Sequence, residues 1–302
     1  MKVVFLGTSG SMPTKQRGSS SVVVKRNRDL IMFDCGEGTQ RQMVKAGVGF
    51  RRPMSIFISH LHGDHVLGLP GLLQTMSLLR REKTLNVYGP KGLVNFIKAF
   101  SESIGGPSFP VIIHEISEPE VIQNNKEYII KTVRADHYIE GWSYGLIEKD
   151  RPGKFYSDKA LELDIPKGPL WHKLQHGETI TIDDTIITPS QVTGETRPGL
   201  TIVYSGDTRP NKDLLELSRD SDLLIHEATF NDELSDRAHE DGHSTAKGAA
   251  RLAKDANVKK LVLTHISSRY YDASIIADEA AEIFEDVEVA EDLMGIELLH
   301  SD

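Results

Sequence analysis

The sequence predicts an α/β layer fold: two sheets packed face to face with helices outside, an αββα sandwich. Short β-branched runs separated by turn residues fill the first third of the chain, and strand–helix alternation dominates after residue 200. The 302 residues, 39% hydrophobic and 26% charged, suffice for one large domain with a sizeable core.

In chain order, residues 2–7 (KVVFLG), 20–25 (SSVVVK), 29–36 (DLIMFDCG) and 54–59 (MSIFIS) read as strands between Gly, Ser, Asn and Asp. Residues 66–81 carry apolar side chains at helical spacing despite an internal Pro and Gly. A strand over 85–90, a helix over 91–103 and successive strands over 111–148 follow. Residues 149–177 break the rhythm, because Pro152, Gly153, Pro166, Gly168, Pro169 and Gly177 interrupt any long helix or strand. The alternation resumes with strands at 201–208 and 222–229, a helix near 244–257 and a strand at 260–268. A helix at about 273–285 and a strand at 286–290 close the pattern.

Composition narrows the setting. No run approaches the ~18 apolar residues needed to cross a bilayer, and the N-terminal apolar run is too short for a signal peptide. A lone cysteine, Cys35, excludes an internal disulfide and fits a reducing cytoplasm; it reads as a small buried residue. A net charge of −9 argues against a polyanionic partner at long range, but a local basic patch can override it. Gly7, Gly10 and the glycines of CGEG (35–38) read as turn glycines, since no strand–GxGxxG–helix setting surrounds them.

The densest chemistry is SHLHGDH, residues 59–65. His60, His62, Asp64 and His65 leave one strand end together. Imidazole and carboxylate at that density are costly to bury unless a cation sits among them. Neutral imidazole and carboxylate suit zinc, with manganese or iron as alternatives, and the lack of nearby thiols argues for a catalytic rather than a structural site. His137, Asp207 and His265 end other apolar runs. If those ends converge, His60, His62 and His137 hold one ion, Asp64, His65 and His265 a second, and Asp207 bridges them. Two such ions activate water and stabilise a leaving oxygen in phosphoryl chemistry. His114 and His176 remain unassigned.

These motifs resemble the H-x-H-x-D-H signature of the metallo-β-lactamase superfamily, with His137, Asp207 and His265 in that superfamily's order. Three further matches are similar to ribonuclease Z, the tRNA 3′-processing endonucleases: HEAT at 226–229 with HST at 243–245, the KGP of Lys167–Gly168–Pro169 within 149–177, and PTKQRG at 13–18. The last resembles P-x-K-x-R-N, with Gly18 where the pattern has Asn. The likeness runs end to end, as in the family's short form. It implies a single metallo-β-lactamase domain over 1–302, with 149–177 as an inserted flexible arm that grips tRNA. It also implies two Zn²⁺ per subunit (Mn²⁺ possible), a homodimer whose arms serve the partner's site, and a precursor tRNA substrate.

Within that resemblance Asp64 orients water or accepts its proton. His243, paired with Glu227, is the proton donor. A rival reading makes residues 243–245 the start of a helix, with Ser244 as its cap. Between Lys149 and Gln175, six cations (Lys149, Arg151, Lys154, Lys159, Lys167, Lys173) outnumber four acids (Asp150, Asp158, Glu162, Asp164), and Phe155, Tyr156 and Trp171 add aromatic faces. Lys15 and Arg17 are placed to approach the acceptor end, joining Lys154, Lys167, Gly168 and Pro169 as RNA-binding residues. The expected reaction is cleavage of the 3′ trailer, leaving a 3′-hydroxyl on the tRNA. The alternative is a phosphodiesterase of small or cyclic nucleotide diesters, which needs no arm.

Overall fold

The computed structural model describes residues 1–300. One compact unit comprises residues 1–124, 129–146 and 201–299. It contains two seven-stranded sheets. In the first, Lys2–Gly7, Ser21–Arg26 and Asp29–Phe33 run antiparallel, and Met54–Phe57, Leu85–Pro90 and Val111–Ile116 then extend the sheet in parallel. The second sheet has a parallel core of Thr201–Tyr204, Leu223–Glu227, Leu261–Thr264 and Val287–Val289.

Strand alternation explains the layers. In Lys2–Gly7, Val4 and Leu6 join Val23, Met32 and Ile56 in a core shared with the helices Thr39–Lys45, Gly68–Leu78 and Leu93–Ile104. Aromatic side chains fill the space between the sheets. Phe33 stacks on Tyr144 and Tyr204 at 6.0 and 5.3 Å, and Phe57 meets Tyr144 at 5.6 Å. The second sheet's outer face packs against Lys212–Ser218, Ala246–Asp255 and Ser274–Ala281, where Ala249, Ala250 and Ala253 present a small-residue face.

Most predicted elements are present, with ends trimmed by a few residues. The helix Thr39–Lys45 and the strand Gly295–Glu297, which pairs with Lys2–Val4, were not predicted. Neither stands out locally: the helix is seven residues long and the strand three. The glycines are a second correction. Gly7, Gly10 and Gly36 sit where backbones touch rather than in turns; a Cβ on Gly36 would lie 2.2 Å from the Asp64 carbonyl oxygen.

A second compact unit comprises residues 125–128, 147–200 and 300. It contains the short helices Ser157–Glu162 and Pro169–Gln175 and the hairpin Ile180–Ile182 with Thr185–Ile187. Ala160, Ile165, Leu174, Ile180, Ile187 and Val192 form a small core of its own. The unit therefore runs to Leu200, past the irregular stretch 149–177. Among the described residues, no helix is long and apolar enough to cross a membrane.

Candidate metal centre

The centre lies beyond the carboxyl ends of the parallel strands, the crevice where α/β sheets bind ligands. Met54–Phe57 leads to His60, Thr201–Tyr204 to Asp207, and Leu261–Thr264 to His265. His60, His62, His137 and Asp207 offer ligand atoms within 4.8 Å of one another, and so do Asp64, His65 and His265. In the first group His60 Nε2 is 3.0 Å from His62 Nδ1, which is 3.4 Å from His137 Nε2. In the second, His265 Nε2 is 3.2 Å from both His65 Nε2 and Asp64 Oδ2. Asp207 stands between the groups, 3.5 Å from His60, 3.4 Å from His65 and 3.3 Å from His265.

The outward ring nitrogens are held, which sets what the inward ones can do. His137 Nδ1 donates to the Gly242 carbonyl at 2.7 Å, and His65 Nδ1 to Asp34 Oδ2 at 2.7 Å. His60 Nδ1 faces Ser59 Oγ at 3.0 Å, and His265 Nδ1 faces Thr229 Oγ1 at 2.9 Å. Each of these Nε2 atoms therefore points inward, where it can ligate an ion once it carries no proton. Nitrogens converging at hydrogen-bond distance form a set that can hold a cation among them. Asp207 Oδ1, buried and without a hydrogen-bond partner, would be satisfied by the same ion. The donor set, all imidazole and carboxylate, fits divalent zinc or manganese.

Electrostatics divides the two groups. Burial holds His60, His62 and His137 below the ordinary histidine range, so the first group is three neutral imidazoles. His65 goes the other way: burial opposes its charge, but Asp207 and Asp34 outweigh burial and raise its pKa well above normal. Burial likewise opposes ionisation of Asp207, and His265, His65 and His60 overcome it. Asp64 sits below the usual carboxylate range because hydrogen bonds from His265 and His65 outweigh its burial.

Glu227 and His243 form the adjoining pair. Glu227 is buried at the end of Leu223–Glu227. Its Oε2 accepts from Thr229 N and Oγ1 at 3.0 and 2.8 Å, and its Oε1 lies 2.8 Å from His243 Nδ1. Burial disfavours charge on His243, but Glu227 reverses this and lifts its pKa to about 9. His243 Nδ1 is 4.0 Å from Asp207 Oδ2. Thr245, not Ser244, caps Ala246–Asp255, accepting from Gly248 N at 3.0 Å. Ser244 instead donates to the Thr208 carbonyl at 2.7 Å.

Several contributors carry no sequence signal of their own. Asp34 is fully buried and accepts from Ser59 N (2.6 Å), Ser59 Oγ (2.8 Å), His65 Nδ1 (2.7 Å) and Tyr204 Oη (2.6 Å). It takes a left-handed backbone, φ 56°, as His265 does at φ 58°, so both are held in sparsely populated conformations at the centre. Arg237 and Arg269 line the roughly 390 Å³ cavity over the centre and lie against Phe230. Nothing local marks these residues; only the strand ending in FDC hints at Asp34.

The expected RNA-binding residues divide between the units. Lys15 is exposed, whereas Arg17 is turned inward and donates to Thr8 Oγ1 at 2.8 Å and the Ala290 carbonyl at 2.5 Å. Lys154, Lys167, Gly168 and Pro169 lie in the second unit, with Lys167 over the Trp171 ring and Pro169 opening its helix. His114 stacks on Tyr88, and His176 donates to the His172 carbonyl; neither joins the centre. Cys35 is buried, which pushes its thiol to about 12.

Known proteins share this sequence and architecture. The family described as Anti-Pycsar protein Apyc1 matches residues 1–192, and the Beta-lactamase superfamily domain matches residues 158–266. A ribonuclease Z of Methanosarcina mazei is 46% identical over 99% of this chain and 98% of its own length. One of Nitrosopumilus maritimus is 46% identical over 99% of this chain and 100% of its own. The crystal structure of the human tRNase Z short form superposes with a TM-score of 0.74 at 31% identity, covering 98% of this chain and 99% of that one.

Proposed function

The chain belongs to the ribonuclease Z family, within the metallo-β-lactamase superfamily, and from that premise we propose how its residues act. It is an endoribonuclease that removes the 3′ trailer from tRNA precursors. We assign two zinc ions per subunit, one to His60, His62 and His137, the other to Asp64, His65 and His265, with Asp207 shared. When bound they supply Lewis acidity to the phosphate and lower the pKa of water.

The chain's own groups do the rest. Asp64, anchored by Ser11 N at 2.8 Å, orients the attacking water or takes its proton. The water oxygen bonds to phosphorus as the bond to the tRNA 3′-oxygen breaks. His243 donates a proton from Nε2 to that oxygen, giving a 3′-hydroxyl on the tRNA and a 5′-phosphate on the trailer. Glu227 holds His243 Nδ1–H and stabilises its charged form. The observation that carries this assignment is the 2.8 Å Glu227–His243 pair beside Asp207, with His243 lining the cavity.

We place Lys15, Lys154, Lys167, Gly168 and Pro169 on the RNA, with Arg17, held inward by Thr8 and Ala290, supporting the loop that carries Lys15. We further assign one catalytic domain with an arm at 149–177 that serves the partner site in a homodimer, working in the cytoplasm. Cleavage of a precursor tRNA with mapped ends tests the reading. Cutting beside the discriminator nucleotide, abolished in His65→Ala, supports it. Turnover of bis(p-nitrophenyl) phosphate without tRNA cleavage by zinc-loaded protein would replace it with the small-diester reading.

A further inference from the structure

The opposite end of the same sheet carries a second charged feature. Residues 49–53 precede the strand Met54–Phe57, and residues 79–84 precede Leu85–Pro90. Between them opens a cleft of about 480 Å³ lined by Arg28, Phe50, Arg51, Arg52, Leu79 and Lys83. One buried guanidinium ties its walls: Arg81, 3% exposed, donates to the carbonyls of Phe50 (2.7 Å), Lys83 (2.8 Å), Arg52 (2.9 Å) and Thr84 (3.1 Å). Arg52 in turn donates to the carbonyls of Arg28, at 3.1 Å, and Asn27.

Both guanidiniums are satisfied by carbonyls, so no carboxylate neutralises their charge. Arg28 and Arg51 on the rim, with Lys83, are exposed and form no ion pair among the described residues. Leu79, 44% exposed, and half-buried Phe50 provide an apolar floor. In a chain of net −9, this is a preorganised concentration of unneutralised cations.

We propose that this cleft binds single-stranded RNA, namely the 3′ trailer downstream of the scissile bond; the proposal rests on the tRNA-processing reading above. Cations around an apolar and aromatic floor are the composition of single-strand grooves, where phosphates meet the charge and bases meet the floor. Position selects the trailer. Arg52 and His60 are eight residues apart along one extended segment, roughly 26 Å at ~3.3 Å per residue. A stiff stem seated at the metal end does not bend around the sheet to its other end. A flexible strand does.

The test uses the zinc-loaded protein and the variant Arg28→Ala/Arg51→Ala/Lys83→Ala, with Arg51→Ala alone as a milder check. These changes spare Arg52 and Arg81, which hold the loops. Precursors of one tRNA carry trailers of about 2 or about 20 nucleotides, the latter longer than the ~4–16 a single-strand groove occupies. The triple variant is expected to raise KM about 10-fold for the long trailer alone, leave kcat unchanged, and flatten the salt dependence of log KM by about 2, at ~0.7 for each phosphate no longer neutralised. Equal effects on both trailers, or none, overturn the proposal. Loss of inorganic phosphate binding with unchanged long-trailer KM overturns it in favour of a small-anion site. Failure of the wild type to cut either precursor sinks the tRNA reading instead.

Discussion

The two halves of the candidate metal centre offer the same kinds of ligand but differ in charge and in how firmly they are held. His60, His62 and His137 are neutral imidazoles, and His62 and His137 are only half buried. His65 and His265 are buried, flanked by Asp64, and His65 is backed by Asp34. The first half therefore attracts a cation through lone pairs and the shared Asp207. The second adds carboxylate charge, and its His65, though burial opposes a charge there, is pushed well above the ordinary histidine range by Asp207 and Asp34. One turn of sequence supplies part of both halves, and the difference comes from what each imidazole touches behind it.

The largest expected effect removes the element common to both. Asp207→Ala should lose both ions and fall to background activity; metal analysis after dialysis showing two retained ions would break the bridging assignment. His243→Ala comes next. Asp207, His243 and His265 also lie within 4.8 Å of one another, so His243 is a rival ligand for the second half. As a proton donor, its loss should lower kcat by about 10²–10⁴-fold with both ions retained. Loss of one ion would make it a ligand.

Asp34→Asn sharpens the contrast between the halves. It should weaken the second ion by about 10–100-fold and leave the first unchanged, read by competitive chelator titration. Equal weakening of both would show that Asp34 merely supports the fold. The smallest effect is a shift in pH dependence. His243 must be protonated to donate, and its pKa of about 9 means activity is lost as pH rises through that value. Glu227→Gln removes the charge that raises it, so the alkaline limb of the kcat profile should move down by roughly 1–3 units. An unmoved limb would assign the titration to another group.

How much was legible follows from how local each signal is. SHLHGDH is a dense cluster that announces itself within seven residues. His137, Asp207 and His265 were legible because each follows a run of apolar residues that becomes a strand, parallel for Asp207 and His265 and antiparallel to its neighbour Val121–Asn124 for His137. Asp34 has the same strand-end position, yet as one acid after DLIMF it resembles any residue leaving a core. Its role requires Ser59 and Tyr204, 25 and 170 positions away. Arg17 shows the converse, since its apparent availability in a polar loop vanished once Thr8 and Ala290 met its guanidinium.

The sequence by itself determined the layer fold and the candidate ligand types that the structure gathers into two groups, because hydrophobic period and residue chemistry are written along the chain. Only the tertiary structure decided which nitrogen of each histidine faces inward, which imidazoles are pushed toward and away from charge, and that uncompensated cations gather at the far end of the sheet. Those properties depend on distances of about 3 Å between residues remote in sequence, where burial and neighbouring charge set the energy of each proton.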